Sequence, residues 1–190
     1  MRFFVRVAAA VTTTVFVATL VGCTPDEGPP AATTAGTQPT TTSAVFKTEA
    51  EALNAARKTY DGYNRTTDAI ARDGGTDPNR VAKWVTAGWL DVELTDAAAM
   101  RKSGERITGQ SSYFRFELQR VLNTQDGVEV GAYVCVDISD TRLVNKSGKD
   151  ITPQDRGDVY ALELQFVSAK PPTTLLLERS APWTDPSRCV

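Results

Sequence analysis

Hydrophobic residues return every three or four positions between Leu53 and Ile70 and every second position between Phe114 and Ile138, and Gly104 stands between the two regimes. A period near 3.6 lays apolar side chains along one stripe of a helix, whereas a period of two lays them on one face of a strand. A chain that changes period once, helices first, is held to an α+β plan with two or three helices packed on one face of a curved antiparallel sheet. The helical part opens at Thr48-Glu49-Ala50-Glu51, whose spacing lets the threonine and the glutamate three residues on each satisfy a free backbone N–H. Leu53, Ala56, Tyr60, Tyr63, Thr67 and Ile70 then form the apolar stripe, with Glu51, Arg57, Lys58, Asp61 and Arg65 facing away. This helix should end near Asp73-Gly74-Gly75. Asp77-Pro78 predicts a second helix, with Val81, Trp84, Val85 and Gly88 along one side, and a third is expected from Asp91 to Lys102.

Beyond Gly104, Phe114, Phe116 and Leu118 alternate with Arg115, Glu117 and Gln119, and Val128, Val130, Ala132, Val134, Val136 and Ile138 repeat the pattern. Asp126-Gly127 between them predicts a hairpin turn. Tyr160, Leu162, Leu164 and Phe166 mark a later strand, and Thr174 to Arg179 the last, for four to six strands in all.

The chain contains no histidine, so it can build neither a Ser-His-Asp triad nor a Cys-His pair nor a His-ligated metal site. Its net charge of -2 argues against nucleic acid as a partner, because phosphate binding needs concentrated basic charge. Asp137, Asp140, Asp150, Asp155 and Asp158 do not match the spacing of a regular calcium loop and are interrupted by Lys146, Lys149 and Arg156, which predicts a solvated loop and no metal site. No cofactor motif is present in the sequence, and no residue is assigned a catalytic role.

Met1 to Arg6 carries two arginines, and Val7 to Gly22 is an uncharged run too short to span a bilayer but of the length of a signal-peptide core. The residues that follow, Leu20-Val21-Gly22-Cys23, resemble the lipobox of bacterial lipoproteins. That resemblance implies cleavage before Cys23, a lipid on its sulfur, and a protein held at the outer face of the cell membrane. Residues 1–22 are thus read as a signal peptide. Residues 23–44 are read as the lipidated cysteine and a disordered tether, because Thr24 to Ala44 holds seven Thr and four Pro and no aromatic or large aliphatic residue to bury. Residues 45–190 are the folding domain.

With Cys23 taken by lipid, Cys135 and Cys189 remain as a pair in an oxidising compartment, and one disulfide is expected between them. In the alternating strand Cys135 lies with Tyr133 and Asp137, opposite Val134 and Val136, so the bridge should fasten the C-terminal tail to the sheet face away from the helices.

The order of elements resembles the nuclear transport factor 2-like (NTF2-like) fold, an α+β cone that includes ketosteroid isomerase and polyketide cyclases. The lipobox, the Thr/Pro tether, a Tyr-bearing first helix, Val134-Cys135-Val136-Asp137 and the late Cys189 are similar to small NTF2-like lipoproteins of actinobacteria. The resemblance implies a hollow between helices and sheet, with Tyr60, Tyr63, Trp84, Trp89, Phe114 and Phe116 as its candidate lining. Core packing accounts for the same six residues, and on that reading Tyr60 and Tyr63 simply point at the sheet bearing Phe114 and Phe116. Ketosteroid isomerase relatives work without histidine, through a tyrosine and carboxylic acids of raised pKa. Here Tyr60 and Tyr63 are available, but Asp61 and Asp68 are read as off the apolar stripe and Asp137 as on the outer face. The sequence therefore favours a non-catalytic binding or scaffolding module at the cell envelope, whose partner is an envelope protein or a small apolar ligand. An isomerase- or cyclase-like enzyme and a phage or mobile-element exclusion lipoprotein are the alternatives.

Overall fold

The structure is a computed structural model, and it describes residues 44–189. Residues 1–43, with the segments read as signal peptide and tether and the expected lipidation site Cys23, lie outside the described residues. Helix α1 spans Glu49–Arg72. Thr48 accepts the Glu51 N–H at 3.2 Å, and the Glu51 carboxylate accepts the Lys47 N–H at 2.8 Å, so the capping device forms with its return bond one residue early. The helix stops at the expected place. Gly75, with φ of 81°, donates to the Ile70 carbonyl, and a Cβ there would strike the Ala97 backbone of the next helix.

The second predicted helix does not form. Pro78–Val81 makes a single 3₁₀ turn after Asp77, which is left-handed at φ of 46° and makes no side-chain cap. The sheet then captures the chain: Val85 bridges Leu177, the Thr86 N–H donates to the Leu177 carbonyl at 3.0 Å, and the Leu177 N–H donates to Trp84 at 2.9 Å. These pairings end any helix that Pro78 could start, and Thr86 caps a new one. Helix α2 therefore runs Ala87–Ser103, four residues ahead of the expected start, and closes on the left-handed Gly104. Among the described residues two α-helices are present, the lower of the two or three expected.

Six strands follow: β1 (Arg106–Thr108), β2 (Ser112–Thr124), β3 (Gly127–Asp137), β4 (Arg142–Val144), β5 (Val159–Ser168) and β6 (Leu175–Pro182). β2, β3, β5 and β6 form an antiparallel sheet in that order, and β1 pairs with β4 in a separate two-stranded ribbon. The β2–β3 turn is Gln125-Asp126, one residue earlier than predicted, and Gly127 opens β3 opposite Thr124.

Alternation along β3 and β5 sets Val130, Ala132, Val134 and Val136 beside Phe166, Leu164, Leu162 and Tyr160 on the face that meets the helices. At one end of this face Val128, Phe166, Leu175 and Leu177 close over Ala52, Ala56, Tyr60, Val81, Val85 and Phe116 as a continuous core. Each of the larger aliphatic or aromatic side chains among them contributes about 1.5–3 kcal/mol on burial. The opposite face carries the disulfide: Cys135 and Cys189 are joined, with Cα atoms 5.6 Å apart. The tail it holds stacks on the strand, with Arg188 4.1 Å from the centre of the Tyr133 ring and Trp183 packed on the other contact of that ring at 4.6 Å. Among the described residues no helix is long and apolar enough to cross a membrane.

Candidate functional site

The other end of the inner sheet face is open. There Val136, Leu162 and Ile138, at the edge of the core, and the exposed Tyr160 bound a hollow of about 640 Å³, with α1 and α2 as its other walls and one side open to solvent. From α1 come Tyr60, Tyr63, Asn64, Thr67, Asp68 and Ala71, and from α2 come Trp89, Val92, Glu93 and Asp96. Both sets follow the three-and-four spacing that puts residues on one helix face.

Three of the six aromatic residues read as candidate lining, Tyr60, Tyr63 and Trp89, are in this wall. The other three are not. Trp84 lies flat against α1, where the missing side chain of Gly62 makes room for its indole, and its Nε1 donates to Thr66 Oγ1 at 3.0 Å. Phe116 is core, 6% exposed, with its ring against Tyr60, Tyr113 and Phe166. Phe114 is 39% exposed and pairs with Cys135 on the outer part of the sheet. The cause is a β-bulge between Phe114 and Glu117, with Arg115 left-handed at φ of 49°. One extra residue in the strand lets Tyr113 and Phe116, three apart, both face inward and turns Phe114 out.

Asp68, read as off the apolar stripe, is in the wall. Its carboxylate accepts the Ser111 hydroxyl at 2.9 Å and the Ser111 N–H at 3.1 Å. Burial raises its pKa above the ordinary 3.8, and the bonds from Ser111 oppose that only in part. Glu93, which the sequence reading missed, accepts the Tyr63 hydroxyl at 2.6 Å, and Trp89 Nε1 reaches the same hydroxyl at 3.5 Å. Burial raises the Glu93 pKa too. The signal for Glu93 was its place one turn after Trp89, hidden because the helix was expected to begin only at Asp91. Burial likewise raises the pKa of Tyr60, with the nearby Tyr160, Tyr113 and Asp68 adding to it, and raises that of Tyr63, with Glu93 adding to it. Just behind the wall Tyr113 donates to Asp61, and burial and this bond push its pKa up to about 12.

Arg156 is the cation of the wall. It is already engaged, donating to Thr141 Oγ1 at 3.2 Å and to the Ile138 carbonyl at 3.0 Å and pairing with Asp158 at 3.2 Å. Among the described residues no group of His, Cys, Asp and Glu is placed to hold a metal ion. The wall can accept an apolar body against its rings and offer hydroxyl and carboxyl groups to a polar head.

No protein-family model matches the chain, and no curated protein matches it. Among solved structures it is similar to the intermembrane space region of the chloroplast protein ARC6, at 12% identity and a TM-score of 0.49, covering 70% of this chain and 97% of that one.

Proposed function

We propose that the protein is a lipid-anchored lipoprotein of the cell envelope whose NTF2-like domain binds a small, largely apolar ligand without transforming it. The observation that carries this reading is the hollow itself. A helix-and-sheet domain that packed only for stability would close both ends of its inner face, yet here the core stops at Val136 and Leu162, and Ile138 and Tyr160 border open space. The rim supports it as well: Val92 and Tyr160 are 42% and 41% exposed at the mouth, an apolar entrance that costs solubility unless something fills it. Two helices across one face of a four-stranded antiparallel sheet, with core at one end and a hollow at the other, support the NTF2-like reading. The leader ending in Leu20-Val21-Gly22-Cys23 supports the anchor.

A second reading, an isomerase- or cyclase-like enzyme, draws support from Asp68 and Glu93, two carboxyl groups of raised pKa in one wall. Both readings need the hollow to be a ligand site, and the neutral apolar dye Nile red tests that. It should saturate the full chain at one site, and Ala71→Trp, which fills the hollow, should abolish the binding. Unsaturable binding, or binding unchanged by Ala71→Trp, would show that the hollow is no ligand site. The anchor is tested separately: Cys23→Ala should leave the protein uncleaved or shed into the medium, and a variant processed and retained on membranes like the parent would exclude lipidation.

A further inference from the structure

The hollow's wall is unbalanced in charge. Asp68, Glu93 and Asp96 line it, and none of them is in an ion pair among the described residues. Arg156, in the wall, is held by Thr141, Ile138 and Asp158, and Arg72, one turn beyond Asp68, acts on that carboxylate through its charge but makes no ion pair with it and turns its guanidinium to the Gly109 carbonyl at 3.4 Å.

A second observation concerns Tyr60. It is 2% exposed and lines the hollow, and its hydroxyl has no hydrogen-bond partner among the described residues. Its oxygen is not sealed in the core, since the fully buried side-chain polar atoms without a partner among the described residues are Arg80 Nε and Trp183 Nε1, so its hydrogen bond must come from whatever occupies the hollow. Its electrostatic neighbours include Tyr160 and Asp68, both lining residues, so this oxygen and the Asp68 carboxylate, which is held by Ser111 and makes no ion pair among the described residues, belong to the same corner. Tyr63 and Trp89 supply ring surface beside them.

We propose that the ligand is a cationic amine on an apolar body, with its ammonium group taken at the corner of Tyr60 and Asp68 and its body against Tyr63 and Trp89. This rests on the reading of the hollow as a ligand site. An ammonium N–H can donate to the lone pairs of the Tyr60 oxygen, its charge offsets the uncompensated carboxylates, and aromatic faces attract cations. A neutral alcohol or ketone would satisfy the Tyr60 hydroxyl equally well but would add no positive charge opposite the carboxylates of the wall. An anion would be repelled by them.

The test uses three probes that share a naphthalene ring and differ in the head: naphthylmethylamine, naphthylmethanol and naphthoate, each titrated calorimetrically into the full chain at neutral pH. The amine should bind at least about tenfold more tightly than the alcohol, and naphthoate most weakly of the three. In Asp68→Asn combined with Glu93→Gln, which keeps acceptors for Ser111 and Tyr63, the amine should fall to the level of the alcohol while the alcohol is unchanged. Asp96→Asn alters a residue that makes no hydrogen bond among the described residues, and it should remove part of the preference even if the double variant fails to fold. Equal binding of amine and alcohol, or a preference that survives Asp96→Asn in full, would overturn the proposal. If Nile red saturates the hollow and naphthylmethylamine does not bind, the amine assignment falls and the ligand site stands. If Nile red fails too, both fall.

Discussion

Asp68 shows how a single residue escapes a sequence reading. The apolar stripe of α1 runs through Tyr60, Tyr63 and Thr67, all legible as helix-face residues, and periodicity alone assigns the polar side chains beside it to solvent. The structure widens that face by one position, because the sheet end opposite Asp68 is open and a half-buried carboxylate can sit there with Ser111 as its partner. Hydrophobic periodicity reports the filled part of a core and is blind to polar residues that wall a hollow. The raised pKa has a definite sign. The folded state holds the Asp68 proton more tightly than the unfolded chain does, so the stability this group contributes is fully present below its ordinary value of 3.8 and is lost as pH rises through the higher folded value. Asp68→Asn should therefore melt higher than the parent at neutral pH, by on the order of a few degrees, and the gap should shrink as pH falls below the ordinary carboxylate range. Paired thermal melts from about pH 3 to about pH 7 check this. A constant gap would place its cause outside the carboxyl group.

At the level of elements, α1 and the central strands were legible because their periodicity is unbroken and their ends carry caps and glycines. The segment from Asp77 to Thr86 was not. Its local signals favour a helix, and a long-range pairing of Val85 with Leu177 overrides them, a contact between residues far apart in sequence that no local pattern encodes. Strand β2 hid its bulge for a related reason: Phe114, Phe116 and Leu118 alternate regularly in sequence, and only the left-handed Arg115 moves Phe114 to the other side. Two truncations separate the faces. Phe116→Ala should cost about 3–5 kcal/mol, as for a core aromatic, whereas Phe114→Ala should cost under about 1.5 kcal/mol, being partly exposed. Denaturant unfolding of both variants decides the matter, and equal losses would mean that β2 pairs without the bulge.

For the domain as a whole, the disulfide was legible from cysteine arithmetic, and its placement on the outer face followed from alternation in β3. It closes a separation of 54 residues that contains β4, β5 and β6, so the cross-link limits the unfolded chain over more than a third of the described domain. In the chain-entropy model that is about 4 kcal/mol, a large part of the ~5–15 kcal/mol by which domains are stable. Replacing both cysteines by serine should lower the melting temperature well beyond the effect of most surface substitutions. An unchanged melt would deny the bridge its structural part. The three tryptophans, finally, have been distributed by the fold into three separate environments. Trp89 borders the hollow, Trp84 is pressed on Gly62 of α1, and Trp183 stacks on Tyr133 across the sheet beside the bridged strand. The molecule thus carries its own set of fluorophores: a ligand entering the hollow should alter the emission of Trp89, loss of α1 packing that of Trp84, and reduction of the bridge that of Trp183, so single-tryptophan variants can follow each event by its own spectrum.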